Sequence, residues 1–85
     1  MYEIILTKVA EKQLKKLPKK DQSKIADKLQ SLSSNPKPSE VKLLKGKLAP
    51  YYRIRSGDYR VIYAIEDDKL VVLVVKISHR KEVYR

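Results

Sequence analysis

Arginine side chains in the last third of the chain are the groups best suited to chemistry. They lie on both sides of a short turn at residues 56–58 (SGD), and they recur behind the last apolar run, where His79 precedes Arg80. The arginines around the turn are Arg53, Arg55 and Arg60. Arginine keeps its charge in proteins and binds phosphate oxygens through charge-assisted hydrogen bonds. The pattern therefore predicts a site that holds phosphate.

Arg55 and Arg60 are predicted to lie opposite each other in a β-hairpin. With two-residue turns on both sides of the middle strand, Arg55 faces Arg60. The same assumption pairs Arg60 with Val75 on the last strand. It also pairs Ile62 with Leu73. Like charges in a cross-strand pair destabilise a sheet unless an anion bridges them, which favours an anion site. In the alternative interpretation the arginines are solvated or pair with Asp58, Glu66 and Glu82.

The alternation of side chains along each strand predicts two unlike faces of the sheet. One face carries Arg53, Arg55 and Arg60, and it also carries His79 if the last strand continues that far. The other face is apolar and is expected to pack against helices. Its predicted members are Tyr52, Ile54, Val61, Tyr63, Ile65, Val72 and Val74.

His79 and Tyr84 each have a functional and a structural interpretation. The imidazole of His79, the single histidine, is a candidate general acid or base, whereas a lone histidine is more often an ordinary surface residue. Tyr84 either stacks on a base and contacts a ribose, or packs on the sheet. A serine-type triad, a metal cluster and a glycine-rich phosphate loop are all missing from the sequence, so we expect neither a metal nor a cofactor.

Composition indicates one small, basic domain over residues 1–85. Lys and Arg number 20 against 10 Asp and Glu, which gives a formal charge of +10. Such an excess favours an acidic partner, either nucleic acid, whose phosphates release counterions on neutralisation, or an acidic protein. The chain has no cysteine, as expected for a cytoplasmic protein, and its apolar runs are too short for a membrane span.

The elements that position these residues can be predicted from turn signals and periodicity. We expect a strand from Tyr2 to Thr7, with Thr7 as a helix N-cap, and a helical hairpin whose second helix opens at Pro18. A basic loop with apolar anchors follows, up to Pro50. The apolar stripes of the helices are Val9, Ala10, Leu14 and Leu17, then Ile25, Leu29 and Leu32 with Ala26 beside them.

Three antiparallel strands are predicted to close the chain, at about Tyr51–Ser56, Asp58–Glu66 and Lys69–Ser78. The expected fold is α+β in the order β-α-α-β-β-β. Its helical hairpin packs on one face of a mostly antiparallel four-stranded sheet.

Three stretches resemble the RelE branch of the RelE/ParE superfamily of toxins from toxin–antitoxin pairs: residues 42–46 (KLLKG), 52–63 (YRIRSGDYRVIY) and 79–84 (HRKEVY). The resemblance extends over nearly the whole chain. It implies a cytoplasmic, ribosome-dependent endoribonuclease that cuts mRNA in the A site beside 16S rRNA. The ribose 2′-hydroxyl attacks the adjacent phosphate without a metal or cofactor. It also implies a cognate antitoxin protein as partner.

The resemblance also assigns roles by position. Arg60 and Arg80 match phosphate-binding arginines, and Tyr84 matches a tyrosine near the attacking ribose. Arg53 and Arg55 replace lysines of other members, and since arginine does not give up its proton, His79 becomes the candidate for proton transfer. Arg55 is still expected to be catalytic, because its charge can stabilise negative charge on the phosphate. The residues expected to bind RNA are Lys42, Lys45, Lys47, Arg53, Arg55 and Lys81.

Two other functions stay open from the sequence. A ParE-like toxin shares the fold but inhibits DNA gyrase and has no nuclease activity, and fold alone does not separate the two. The presence of Arg60, Arg80 and Tyr84 together favours the nuclease. The second alternative is a degenerate module that only binds an antitoxin.

Overall fold

Two helices and five strands make up the part of the chain that the structure, a computed structural model, describes: residues 1–39, 41–44 and 50–79. The helices are α1 (Lys8–Lys15) and α2 (Lys19–Ser34). The strands are β1 (Glu3–Leu6), β2 (Lys42–Leu43), β3 (Tyr52–Ser56), β4 (Tyr59–Glu66) and β5 (Val71–His79). These bounds confirm the predicted helical hairpin and meander.

The strands form a mixed sheet in the order β1-β5-β4-β3-β2. β1 runs parallel to β5, and the other neighbours are antiparallel. A parallel pair needs a crossover, which the helical hairpin supplies. The predicted α+β class is confirmed, with a fifth strand in the described sheet. That strand, β2, is too short for its alternation to be visible in sequence, and it lies in the segment predicted as a loop.

Local signals explain where the helices begin. Thr7 is the N-cap of α1, and its hydroxyl accepts a hydrogen bond from the Ala10 N–H at 3.2 Å. Pro18 occupies the N-cap position of α2, as predicted, because its fixed φ and missing N–H suit a helix start. The prediction that Val9 belongs to the apolar stripe of α1 is wrong, since Val9 is exposed, and Ala26, predicted beside the stripe of α2, is exposed as well. Neither α1 nor α2, the helices of the described residues, could span a membrane.

The core lies between the helical hairpin and one face of the sheet. The hydroxyl of Tyr63, a fully buried side chain, donates to the Pro36 carbonyl at 2.8 Å. The Ser33 hydroxyl donates to the Tyr2 carbonyl at 2.6 Å, which joins the end of α2 to β1. The other buried core residues are Ala10, Ile25, Leu29, Leu32, Ile54, Val61, Val72, Val74 and Ile77.

The β3–β4 hairpin has the predicted register. Gly57 and Asp58 form its two-residue loop, and Gly57 has a φ of +59°, a conformation that glycine adopts without strain. Arg55 is therefore the direct partner of Arg60, as predicted.

The β4–β5 hairpin has a different register from the predicted one. Its loop runs over residues 67–70, with Leu70 at a φ of +53°, in place of two residues. The register then shifts at a β-bulge, where Val75 lies between the partners of Ile62 and Tyr63. As a result Ile62 pairs with Lys76 instead of Leu73, and Arg60 pairs with Ser78 instead of Val75.

Candidate phosphate-binding site on the outer face of the sheet

The face of the sheet that points away from the helical hairpin, here called the outer face, carries the predicted arginines. Arg55 and Arg60 are direct partners across β3 and β4, so their Cα atoms lie about 4.5 to 5.5 Å apart. Arg53 is opposite Ile62 on the same face. The structure therefore brings Arg53, Arg55 and Arg60 together as predicted.

Arg60 differs from Arg55 in its exposure to solvent. It is half-buried, with its Nε atom shielded from solvent, whereas Arg55 is exposed. A partly buried guanidinium needs little reorganisation to meet an anion, because the surrounding structure already orients it. Two cations held side by side repel each other, and a phosphate between them removes that repulsion. This pair can therefore bind phosphate and stabilise charge that develops on it.

Two lysines extend this positive surface across the sheet. Lys42 on β2 pairs with Arg53, and Lys76 on β5 pairs with Ile62. Residues that pair across strands share a face, so these side chains form one row, Lys42–Arg53–Ile62–Lys76. Lys42 was predicted to bind RNA, whereas Lys76 was missed. Under the predicted register Lys76 would have pointed into the core beside Val72 and Val74, and that conflict was the available signal for a bulge.

His79 lies on the helix side of the sheet, so the prediction that it shares a face with the arginines is wrong. It pairs with Tyr59, and the two rings meet edge to face with centroids 5.2 Å apart and planes at 85°. His79 also lines a cavity of about 380 Å³ with Gln13 and Leu17 of the helical hairpin. The bulge at Val75 is the physical reason that His79 lies on the helix side. One extra residue reverses the alternation of every later side chain in β5.

The contacts around this cavity hold the end of β5 in place. The Gln13 side-chain oxygen accepts a hydrogen bond from the Ile77 N–H at 2.7 Å. The Tyr59 hydroxyl lies 3.4 Å from a carboxylate oxygen of Asp21, and burial, with a further contribution from Asp21, raises the pKa of Tyr59. The residues in these contacts flank Ser78, the buried partner of Arg60.

Several predicted site residues lie outside the described part of the chain. They are Lys45, Lys47, Arg80, Lys81 and Tyr84. Among the described residues, groups of three or more acidic or histidine side chains that could hold a metal ion are absent.

Comparison with known proteins decides the family. The sequence model of one protein family, the ParE toxin of type II toxin–antitoxin systems, matches residues 4–84. The chain belongs to the RelE/ParE superfamily of type II toxins. Several of its relatives within this superfamily carry RelE names, which confirms the predicted branch. A protein of Methanocaldococcus jannaschii named toxin RelE1 is 36% identical over 77 residues, covering 87% of this chain and 84% of the relative. Toxin RelE of Mycobacterium tuberculosis is 31% identical over 84 residues, covering 99% and 87%.

Solved structures of RelE-type toxins have the same fold. The archaeal RelE–RelB complex of Pyrococcus horikoshii superimposes with a TM-score of 0.82 at 31% identity, covering 96% of this chain and 98% of the other. The RelBE toxin–antitoxin complex of Mycobacterium tuberculosis gives a TM-score of 0.84 at 30% identity, covering 93% and 98%. This RelE-type chain is thus a toxin of a type II toxin–antitoxin system.

Proposed function

We propose that this toxin is a ribosome-dependent, metal-independent endoribonuclease that cleaves mRNA in the A site and so inhibits translation. The observation that carries the proposal is the opposed pair Arg55 and Arg60 on the outer face. Two like charges directly opposite each other destabilise a sheet unless an anion lies between them. An RNA phosphate is such an anion. The RelE names of the relatives support the nuclease over gyrase inhibition.

The chemistry is attack by the ribose 2′-hydroxyl on the adjacent phosphorus. A bond forms between O2′ and phosphorus as the 2′-hydroxyl gives up its proton, and the bond from phosphorus to O5′ breaks as O5′ takes up a proton. The products are a 2′,3′-cyclic phosphate and a 5′-hydroxyl. Negative charge grows on the phosphoryl oxygens in the transition state, where the preorganised guanidinium of Arg60 stabilises it, together with Arg55. By the family resemblance, Arg80 adds to this stabilisation and Tyr84 lies near the attacking ribose.

Proton transfer needs a group other than the arginines, because arginine does not lose its proton in proteins. Arg53 and Arg55 therefore supply charge alone. His79 was the sequence-based candidate for the proton transfer, but its ring lies against Tyr59 on the helix side. A 2′-hydroxyl on the outer face would reach His79 only around the end of the sheet.

The proposed partners are mRNA, the ribosome with its 16S rRNA, and an acidic antitoxin. The relatives from Pyrococcus horikoshii and Mycobacterium tuberculosis were solved as complexes with antitoxins. In this chain the charge of +10 suits an acidic partner. The outer face also carries apolar residues beside the arginines, among them Ile5, Leu73 and Val75. An amphipathic segment of an antitoxin would cover them. Ribosomes place the activity in the cytoplasm.

Single-turnover cleavage on programmed ribosomes tests the proposal, with the chemical ends of the products as the readout. We expect a 5′-hydroxyl and a cyclic or 3′-phosphate, formed equally well in the presence of a metal chelator that leaves ribosomes intact. Products with 5′-phosphates would contradict the mechanism. Intact mRNA together with accumulation of cleaved gyrase–DNA complexes would instead identify the chain as a gyrase inhibitor.

A further inference from the structure

The β-bulge in β5 determines which side chains of that strand reach the outer face. With Val75 as the extra residue, Ile77 enters the core at 3% exposure, and Lys76 lies on the outer face opposite Ile62. Bulges next to functional sites commonly re-aim a side chain in this way. Lys76 therefore lies on the outer face, the face to which the uninterrupted alternation had assigned His79.

Lys76 lies diagonally next to Arg60. Ser78 is the direct partner of Arg60, and Lys76 lies two residues before Ser78 on the same face. Arg53 has the equivalent diagonal position on the other side, since it lies two residues before Arg55. Diagonal neighbours are about 7 to 8 Å apart at Cα, within reach of long side chains. Arg60 thus has a cation diagonally on each side, Arg53 on β3 and Lys76 on β5.

This spacing matches a single-stranded RNA backbone better than an isolated anion. Successive phosphates of an extended strand are separated by a distance of the same order as the diagonal spacing of these cations. Proteins that bind single strands commonly follow the backbone with a positively charged groove. Lysine presents a compact charge on a flexible stem, which suits a phosphate whose charge does not change during the reaction.

We infer that Lys76 binds the RNA phosphate adjacent to the one held by Arg55 and Arg60, and positions the strand for cleavage. This inference rests on the proposed function. Lys76 contributes equally to the bound substrate and to the transition state, so it affects the concentration of substrate needed and leaves the maximal rate unchanged. Arg60, by contrast, acts mainly on the rate.

The test compares Lys76→Ala with Lys76→Arg and with Lys69→Ala as a matched control. Lys69 is an exposed lysine in the β4–β5 loop, at the opposite end of β5. On programmed ribosomes we expect Lys76→Ala to raise the half-saturating concentration severalfold with an unchanged maximal rate. We expect Lys76→Arg to restore it and Lys69→Ala to match the wild type.

Salt dependence gives a second readout that a purely structural role would not change. For binding of a single-stranded RNA oligonucleotide, log affinity falls as log salt rises. Loss of one phosphate contact makes this fall shallower by about 0.7 in slope. The inference is wrong if Lys76→Ala behaves like Lys69→Ala in both assays, or if it lowers the maximal rate alone. Failure of the wild type to cleave would overturn the proposed function instead, and the oligonucleotide assay would still test Lys76.

Discussion

Arg60 carries a permanent charge in a half-buried position beside Arg55. We expect Arg60→Ala to lower single-turnover cleavage by about 10²-fold or more, because it removes a preorganised charge from the transition state. Binding to programmed ribosomes should weaken less than the rate. Arg55→Lys is the matched control and should retain nearly full cleavage if Arg55 supplies charge alone. Equal losses of binding and rate in Arg60→Ala would show that Arg60 only binds substrate.

His79 faces away from the arginines, and this position sets its expected behaviour. We expect His79→Ala to leave the pH dependence of cleavage unchanged in shape around neutrality, because its ring contacts Tyr59 on the helix side. The measurement is a pH profile of the single-turnover rate, with Tyr59→Phe as a comparison for structural effects. A flattened profile in His79→Ala alone would restore His79 as the group that moves the proton.

At the scale of elements, α1 and the bulge of β5 stabilise each other. The Thr7 N–H donates to the Val74 carbonyl at 2.9 Å, and the Thr7 hydroxyl donates to the Val75 carbonyl at 3.3 Å. The same hydroxyl caps α1 by accepting from Ala10. Gln13 accepts from Ile77 beyond the bulge. Thr7 and α1 thus satisfy backbone groups of β5 beside and beyond the bulge, where β1 has ended at Leu6 and no longer supplies a ladder partner.

Thr7→Val tests this coupling, because valine keeps the shape and loses the hydroxyl. We expect the free energy of unfolding to fall by about 1–2 kcal/mol, from loss of the cap and of the contact to the bulge. Urea unfolding measures it. Thr7→Ser retains the hydroxyl and should stay within about 0.5 kcal/mol of the wild type. A silent Thr7→Val would mean that the bulge forms independently of α1.

At the scale of the whole molecule, two tyrosines couple stability to alkaline pH. A hydrogen bond to Asp67 raises the pKa of Tyr2, and burial raises that of Tyr59. Above the ordinary tyrosine pKa of about 10, the unfolded chain loses these protons before the folded chain does. Stability should therefore fall as pH rises through that value and stay unaffected by these groups below it. Tyr59→Phe should show a shallower alkaline loss in thermal unfolding, and an unchanged loss would contradict this assignment.

The charge of the whole chain predicts how it behaves with its partners. Affinity for RNA should fall steeply as salt rises, because phosphate contacts release counterions. In bacteria we expect growth arrest when the chain is expressed alone, and recovery on coexpression with an acidic antitoxin encoded beside it. High-level expression without toxicity, or an affinity that hardly changes with salt, would count against this account.

Local patterns in the sequence were sufficient for the helical hairpin, the four longer strands, the β3–β4 register and the arginine pair, but not for β2. Turn residues and the alternation of side chains act over a few positions, so they can be read without knowledge of the fold. Gly57 and Asp58 determine the hairpin that sets Arg55 opposite Arg60. The apolar partners of the helices follow from the same alternation as far as Val74.

Tertiary structure decided where the bulge lies, and with it the faces of Lys76 and His79. The groups that hold the bulge are distant in sequence: Thr7 and Val75 are separated by 68 positions, and Gln13 and Ile77 by 64. A register shift of one residue costs little in local propensity but moves every later side chain to the opposite face. The choice therefore depends on how α1 packs against the end of β5, because that packing brings Ile77 into the core and leaves Lys76 beside the arginines.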